Sequence, residues 1–253
     1  MNYKHIRHAT GILYYAGLEI LIDPMLAPKE VYPPIKNSWN DRKNPLVDLP
    51  MALESFKAPE YCLVTHLHQD HFDGYAGNHL AKNINLICQA ENAEAFKDMG
   101  FLNMYPMKDR ITIQSVSITR VAGQHGTGQI AELMGISSGY ILEAPNEPTI
   151  YLTGDTVYYD KVQETVQKYS PDVIIAFGGC AQFSQGDPIT LSTEDILSLH
   201  QDAPDSKIIC VHMDTLNHCR TTREGLIQSL TDQPDNYKEY FLIPNDGEYV
   251  DFK

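Results

Sequence analysis

The chain is short of positive charge, and that shortage sets aside one class of partner. Acidic residues number 33 against 19 Lys and Arg, a formal net charge of −14, and no run of Lys and Arg offsets it. Such a field repels nucleic acid, which is therefore not expected as a partner. An anionic substrate would need local attraction, which bound divalent cations provide. No Cys-x-x-Cys pair occurs. The five cysteines (Cys62, Cys88, Cys180, Cys210, Cys219) are odd in number and widely spaced. They read as reduced thiols, Cys62 and Cys210 as small core residues within apolar runs. No apolar stretch approaches the ~20 residues of a membrane helix. No apolar signal segment follows Met1–His5. The expectation is a cytoplasmic protein away from membranes. There is no internal repeat and no linker composition, so residues 1–253 read as one domain, long enough to bury a large core. Assembly into a homo-oligomer stays open.

Against these absences stands one dense stretch, Thr65-His-Leu-His-Gln-Asp-His-Phe-Asp73. Tyr61–Val64 before it read as the end of a buried strand. With a period of two, His66 and His68 leave that strand on one face and Leu67 on the other. The following turn brings Asp70 and His71 toward the same space. Imidazole and carboxylate are ordinary zinc ligands, and this set has donors enough for two cations side by side.

His66-Leu67-His68-Gln69-Asp70-His71 matches the His-x-His-x-Asp-His signature, and on it the chain resembles the metallo-β-lactamase-fold hydrolases, most closely the group containing the ascorbate-phosphate lactonases. The resemblance implies an α/β fold, an αββα four-layer sandwich of two mixed β-sheets face to face with helices outside. It also implies the remaining ligands. His125, in the loop Gly123-Gln124-His125-Gly126, matches the family's third histidine. Asp155, at the strand end Thr153-Gly154-Asp155, matches the carboxylate that bridges both metals. His212, at the end of the strand Lys207–Val211, matches the last histidine, with His218 as its competitor or as a nearby substrate or proton-transfer residue. His66, His68 and His125 would then hold one ion; Asp70, His71 and His212 would hold the other. Asp23, at the strand end Asp23-Pro24, corresponds to an aspartate that orients a ligand histidine from beneath.

Elsewhere the pattern is one of alternating strands and helices. Residues 3–22 read as a hairpin around Ala16-Gly17, with His5 and His8 as solvated or packed strand histidines. The proline-rich segment 24–50 reads as a long loop over the site. It carries the single tryptophan, Trp39, and Arg42, which could pair with a substrate anion or simply be solvated. Residues 75–82 and 91–99 read as helices, 85–89 and 111–120 as strands, 139–143 and 149–152 as a strand pair. Asp160–Tyr169 reads as an amphipathic helix, Val173–Phe177 as a buried strand, and 196–200 as a helix capped by Ser192 or Thr193. A helix over 222–230 and short strands at 241–244 and 248–250 close the chain. His79 and His200 read as surface residues, Cys180 as structural.

The activity that the resemblance implies is hydrolysis of a small, anionic ester, lactone or phosphodiester by hydroxide held between two divalent metals. Zinc is the default, with manganese or iron as alternatives, and Asp70 also takes or passes a proton. Three other readings compete: a nucleotide or lipid phosphodiesterase, a non-hydrolytic di-iron redox protein, and a degenerate scaffold. Retention of His68 and the full ligand set weigh against the last two.

Overall fold

The computed structural model describes residues 2–56 and 59–251. Alternation of apolar and polar residues starts the chain as a three-stranded meander: β1 (Asn2–Arg7), β2 (Thr10–Tyr15) and β3 (Leu18–Ile22). Ala16 and Gly17, both at positive φ, make the tight β2–β3 turn. After the long loop come β4 (Tyr61–Val64), α1 (Gly74–His79), β5 (Asn85–Gln89), α2 (Ala93–Asp98) and β6 (Asn103–Met107). The second half runs β7 (Arg110–Ile113), β8 (Val116–Ala122), α3 (Gly128–Met134), β9 (Ser138–Glu143), β10 (Ile150–Leu152), α4 (Asp160–Tyr169) and β11 (Val173–Phe177). It ends with α5 (Thr193–Asp202), β12 (Lys207–Val211), α6 (Arg223–Thr231), β13 (Phe241–Leu242) and β14 (Tyr249–Asp251).

These strands form two seven-stranded sheets, in the orders β14-β1-β2-β3-β4-β5-β6 and β13-β12-β11-β10-β9-β8-β7. Each is half antiparallel and half parallel: β3 to β6 run parallel in the first, β10 to β13 in the second. The inner parallel strands are covered on both faces, which is why Val173–Phe177 is apolar and buried throughout. Three apolar cores separate four layers. Leu13, Ile20 and Leu63 of the first sheet meet Ile118, Leu142, Ile175 and Ile209 of the second. Phe72, Phe96 and Phe101 pack the first helical layer onto the outer face of the first sheet, beside Leu86. Val162, Val166, Ile196 and Leu226 pack the other onto the second sheet, beside Ile174 and Ile208. Side chains so buried stabilise the fold by about 1.5–3 kcal/mol each. This is the αββα sandwich of two mixed sheets.

The structure corrects the expectation in places. Residues 3–22 hold three strands, with β1 pairing along β2. The single strand expected over 111–120 is the hairpin β7–β8, because Gln114 at φ +53 turns the chain. β6 and α3 were not expected. β6 is an edge strand whose Pro106 needs no partner on its open side. His200 is buried rather than on the surface, its ring against Tyr237, Tyr240 and Phe241.

The proline-rich loop is tied down at its carbonyls and amides. The buried Arg7 guanidinium donates to the carbonyls of Val47, Met25 and Ala27. Asn217 accepts from Ile35 N and Asn44 Nδ2 and donates to the carbonyls of Ile35 and Asn40. Backbone that lacks a ladder is thereby satisfied, and the loop is fixed beside residues 217–219.

Candidate metal centre

The parallel strands of both sheets end at the same edge of the sandwich, and the site is built there from the residues that follow them. Several of these corners are tight. His8, Asp23, Cys180 and His212 all adopt positive φ (55°, 41°, 46° and 71°), as does Gly154 (61°) just before Asp155. A left-handed residue at a strand end turns the chain sharply and costs on the order of 1–3 kcal/mol, which the surrounding packing must hold. Gly154 cannot carry a side chain, since a Cβ there would lie 2.3 Å from the Ser138 carbonyl oxygen.

The donors form two groups that share a wall. His66 Nε2 lies 3.0 Å from His68 Nδ1, and His125 Nε2 lies 3.4 Å from Asp155 Oδ2. On the other side, His71 Nε2 is 3.4 Å from His212 Nε2 and 3.5 Å from Asp70 Oδ2. Asp155 stands between, its Oδ2 3.3 Å from His71 Nε2 and 3.9 Å from His66 Nε2, its Oδ1 3.2 Å from His212 Nε2. Donors about 2.0–2.1 Å from one tetrahedral zinc stand about 3.3–3.4 Å from each other, so the spacings fit. Asp155 Oδ1 is buried without a hydrogen bond, the condition of a carboxylate oxygen that a cation would satisfy.

Four of the five imidazoles have a neighbour at Nδ1; His68 instead turns its Nδ1 toward His66 Nε2. His71 Nδ1 lies 2.8 Å from Asp23 Oδ2. His66 Nδ1 lies 3.1 Å from Thr65 Oγ1, which donates to the same Asp23 oxygen at 2.7 Å. His125 Nδ1 donates to the Ile189 carbonyl at 2.7 Å, and His212 Nδ1 faces Cys219 Sγ at 3.9 Å. The acceptors at His66, His71 and His125 put the proton on Nδ1 and leave the Nε2 lone pairs pointing inward. Asp23, fully buried, thus orients His71 directly and His66 through Thr65.

Electrostatics favour ionised carboxylates among neutral rings. Burial alone would raise Asp70 and Asp155, yet the imidazoles around them hold both well below the usual carboxylate range. Burial drives His66 well down and His212 to about 3. His71 is the exception: burial opposes its charge, but Asp155, Asp70 and Asp23 outweigh it and raise it well above the ordinary range. A proton on His71 would have to leave for an ion to bind there.

All seven expected donors are therefore brought together, and His212 rather than His218 stands in the donor groups found among the described residues. His218 is close by, buried, its Nδ1 without a partner and its ring pushed down to about 4 by burial. Arg42 is exposed, and its guanidinium makes no hydrogen bond or ion pair with the described residues. The guanidinium beside the site belongs to Arg220, 4.4 Å over the Trp39 ring and donating to Gln182 Oε1 at 3.0 Å. His8 was read as an ordinary strand histidine, yet it falls in a donor group with Asp70, His71 and His212. Nothing in the local pattern separates it from His5, which is indeed packed, against Arg223 and Asp246.

The beta-lactamase superfamily domain matches residues 19–213. The UPF0173 protein YddR of Bacillus subtilis (strain 168) is 36% identical over an alignment covering all of both chains. Among solved structures, an isothiocyanate hydrolase from Delia radicum gut bacteria is 32% identical with a TM-score of 0.95, covering 100% of this chain and 99% of its own. A possible metal-dependent hydrolase from Veillonella parvula DSM 2008 is 34% identical, also at a TM-score of 0.95, covering 99% and 98%. With this fold, this cluster of histidines and aspartates, and these relatives over its full length, the chain belongs to the beta-lactamase superfamily and, within it, to the UPF0173 metal-dependent hydrolases.

Proposed function

We propose that the protein hydrolyses a small ester, lactone or phosphodiester with two divalent ions, zinc by default and manganese or iron as alternatives. His66, His68 and His125 would hold one ion, Asp70, His71 and His212 the other, and Asp155 would lie between them. The observation that carries this reading is the placement of Asp155 between the two groups, Oδ2 3.4 Å from His125 Nε2 and 3.3 Å from His71 Nε2, and Oδ1 3.2 Å from His212 Nε2. Bound there, the ions supply a water acidified to a pKa of about 7 and positive charge opposite a developing oxyanion. The chain keeps the ring nitrogens aimed inward and the floor dry, with Phe177 stacked against His71 and His212. Among the site carboxylates, Asp70 has a 17% exposed side chain, against 3% for Asp155 and 0% for Asp23. Asp70 is accordingly the carboxylate suited to pass a proton between the site and solvent. An anionic substrate would find its counter-charge in Arg220, held against Trp39 and Gln182 two residues after His218, more readily than in Arg42. The resemblance of the His66–His71 signature region to the lactonase group favours a lactone.

A second reading is an isothiocyanate, hydrolysed to an amine and carbonyl sulfide. The 32% identical isothiocyanate hydrolase supports it. So does a cleft of about 400 Å³ with an apolar wall of Ile130, Leu133, Met134 and Phe183 and a polar side of Asn37, Ser184 and Gln185, a lining without charged residues that suits an uncharged substituent. The cleft adjoins the site: Phe183 lies 6.4 Å from the His218 ring, and Ile130 abuts Gly126, next to His125.

A panel of lactones, phosphodiesters and isothiocyanates, assayed with zinc and with manganese, tests both. Turnover should vanish with a chelator and return with metal. Turnover that survives thorough chelation would refute the metal mechanism. Turnover of isothiocyanates alone would select the second reading.

A further inference from the structure

His8 lies outside the segment matched by the superfamily domain, residues 19–213, yet it touches two members of the second donor group. Its Nε2 is 3.1 Å from Asp70 Oδ2. Its ring lies over that of His212, centroids 3.7 Å apart, and its carbonyl accepts from His212 N at 2.9 Å. The side chain is fully buried, on a residue held at φ +55°. Buried side chains are not placed in a left-handed corner without something to fix them there.

We infer that His8 is a positioning residue: it donates a hydrogen bond from Nε2 to Asp70 and clamps His212, and it does not itself bind metal. This rests on the reading above that Asp70 and His212 hold an ion. The choice between support and ligand follows from the far side of the ring. His66, His71 and His125 each have an oxygen acceptor at Nδ1, which fixes the proton there and frees Nε2, and His212 has Cys219 Sγ beside its Nδ1. The Nδ1 of His8 is buried and has no partner among the described residues. A proton placed on that nitrogen would be a buried, unsatisfied donor and would leave a bare Nε2 facing the Asp70 carboxylate, and both are unfavourable. The proton belongs on Nε2, where the Asp70 carboxylate accepts it, and a nitrogen carrying that proton cannot also be a ligand. By holding Oδ2 of Asp70 toward His71 and His212, His8 sets the geometry of the second ion from behind.

Three variants separate the possibilities. H8Q keeps an N–H donor at nearly the same reach from the backbone but no imidazole. H8F keeps a ring over His212 but no donor, and H8A keeps neither. Metal-stripped proteins would be titrated with Zn²⁺ against a chelating dye, and with Co²⁺ followed by its visible spectrum, with circular dichroism as the check of folding. The second ion is expected to bind about 10–100-fold more weakly to H8F and H8A, with a changed Co²⁺ spectrum, and the first ion unchanged. H8Q should recover most of the affinity. Should H8F misfold, the contrast between H8A and H8Q gives the same answer. An H8Q that loses the second ion as fully as H8A would make His8 a ligand and overturn the inference. So would variants that bind both ions as wild type does, whatever their stability. A wild type that takes up fewer than two ions would instead overturn the two-ion reading, and the role of His8 with it.

Discussion

Asp23→Asn tests how the fold sets the chemistry of its ligands. Asparagine tolerates the φ of +41° at this corner, and its shape matches aspartate, so the fold should persist. Asp23 Oδ1 accepts from Thr65 N at 2.7 Å, and Oδ2 accepts from Thr65 Oγ1 and His71 Nδ1. In the variant the carbonyl oxygen stays opposite Thr65 N, because a flipped amide would set two donors face to face. The new NH₂ then points at Thr65 Oγ1 and His71 Nδ1. The threonine hydroxyl can rotate to accept. His71 can accept only by moving its proton to Nε2, the nitrogen that faces Asp70, Asp155 and His212. Restoring the metal-binding tautomer would leave a buried donor facing a donor, a cost of about 1–3 kcal/mol. At about 1.4 kcal/mol per decade, that weakens the second ion by roughly 10–100-fold. Competition between protein and a chelating dye, with elemental analysis for stoichiometry, measures it. Wild-type affinity for both ions in a folded Asp23→Asn protein would refute the tautomer argument.

Three further outcomes are expected. Gly179→Ala sets a Cβ 2.1 Å from the His212 carbonyl oxygen and 2.9 Å from its Nδ1. His212 must shift, and turnover of any hydrolysed substrate should fall about 10²-fold or more; unchanged turnover would mean the corner is pliable. Ser192→Ala removes the capping box of α5, in which Ser192 Oγ accepts from Asp195 N and Asp195 accepts from Ser192 N, and should cost about 1 kcal/mol in urea unfolding. His200 is held below its ordinary value of 6.5 by burial, so the unfolded chain takes up its proton first as pH falls. Stability is therefore intact above about pH 6.5 and declines below it. His200→Leu should make that decline shallower in unfolding midpoints measured between pH 7.5 and 5, and an identical decline would remove His200 as a cause.

Much of the fold could be read locally. α4 and the strands β5, β11 and β12 have the expected bounds, since their apolar period or continuous burial is written in consecutive residues. β7 and β8 read as one strand in the sequence because Ile111, Ile113, Val116 and Ile118 look like one alternation. The odd step from 113 to 116 marks a turn, but only at a single residue, Gln114. α3 leaves no trace in the sequence pattern because it has no buried residue to give it a period. His200 reads as a surface residue in the sequence because a histidine in a helix carries no sign of what Tyr237, Tyr240 and Phe241 bring to it.

The sequence by itself determined the donors of the first turn. His66, His68, Asp70 and His71 fall within six residues, and strand and turn geometry brings them together whatever the rest of the chain does. It also named His125, Asp155 and His212, through family resemblance rather than spacing. Only the tertiary structure decided which nitrogen each ring turns inward, that His212 stands where His218 could have stood, and that His8 belongs beside Asp70. Those outcomes depend on contacts between residues dozens to hundreds of positions apart, such as His8 with Asp70 and Asp23 with His71. The two sheets create these contacts by ending at a common edge, and no local pattern encodes them.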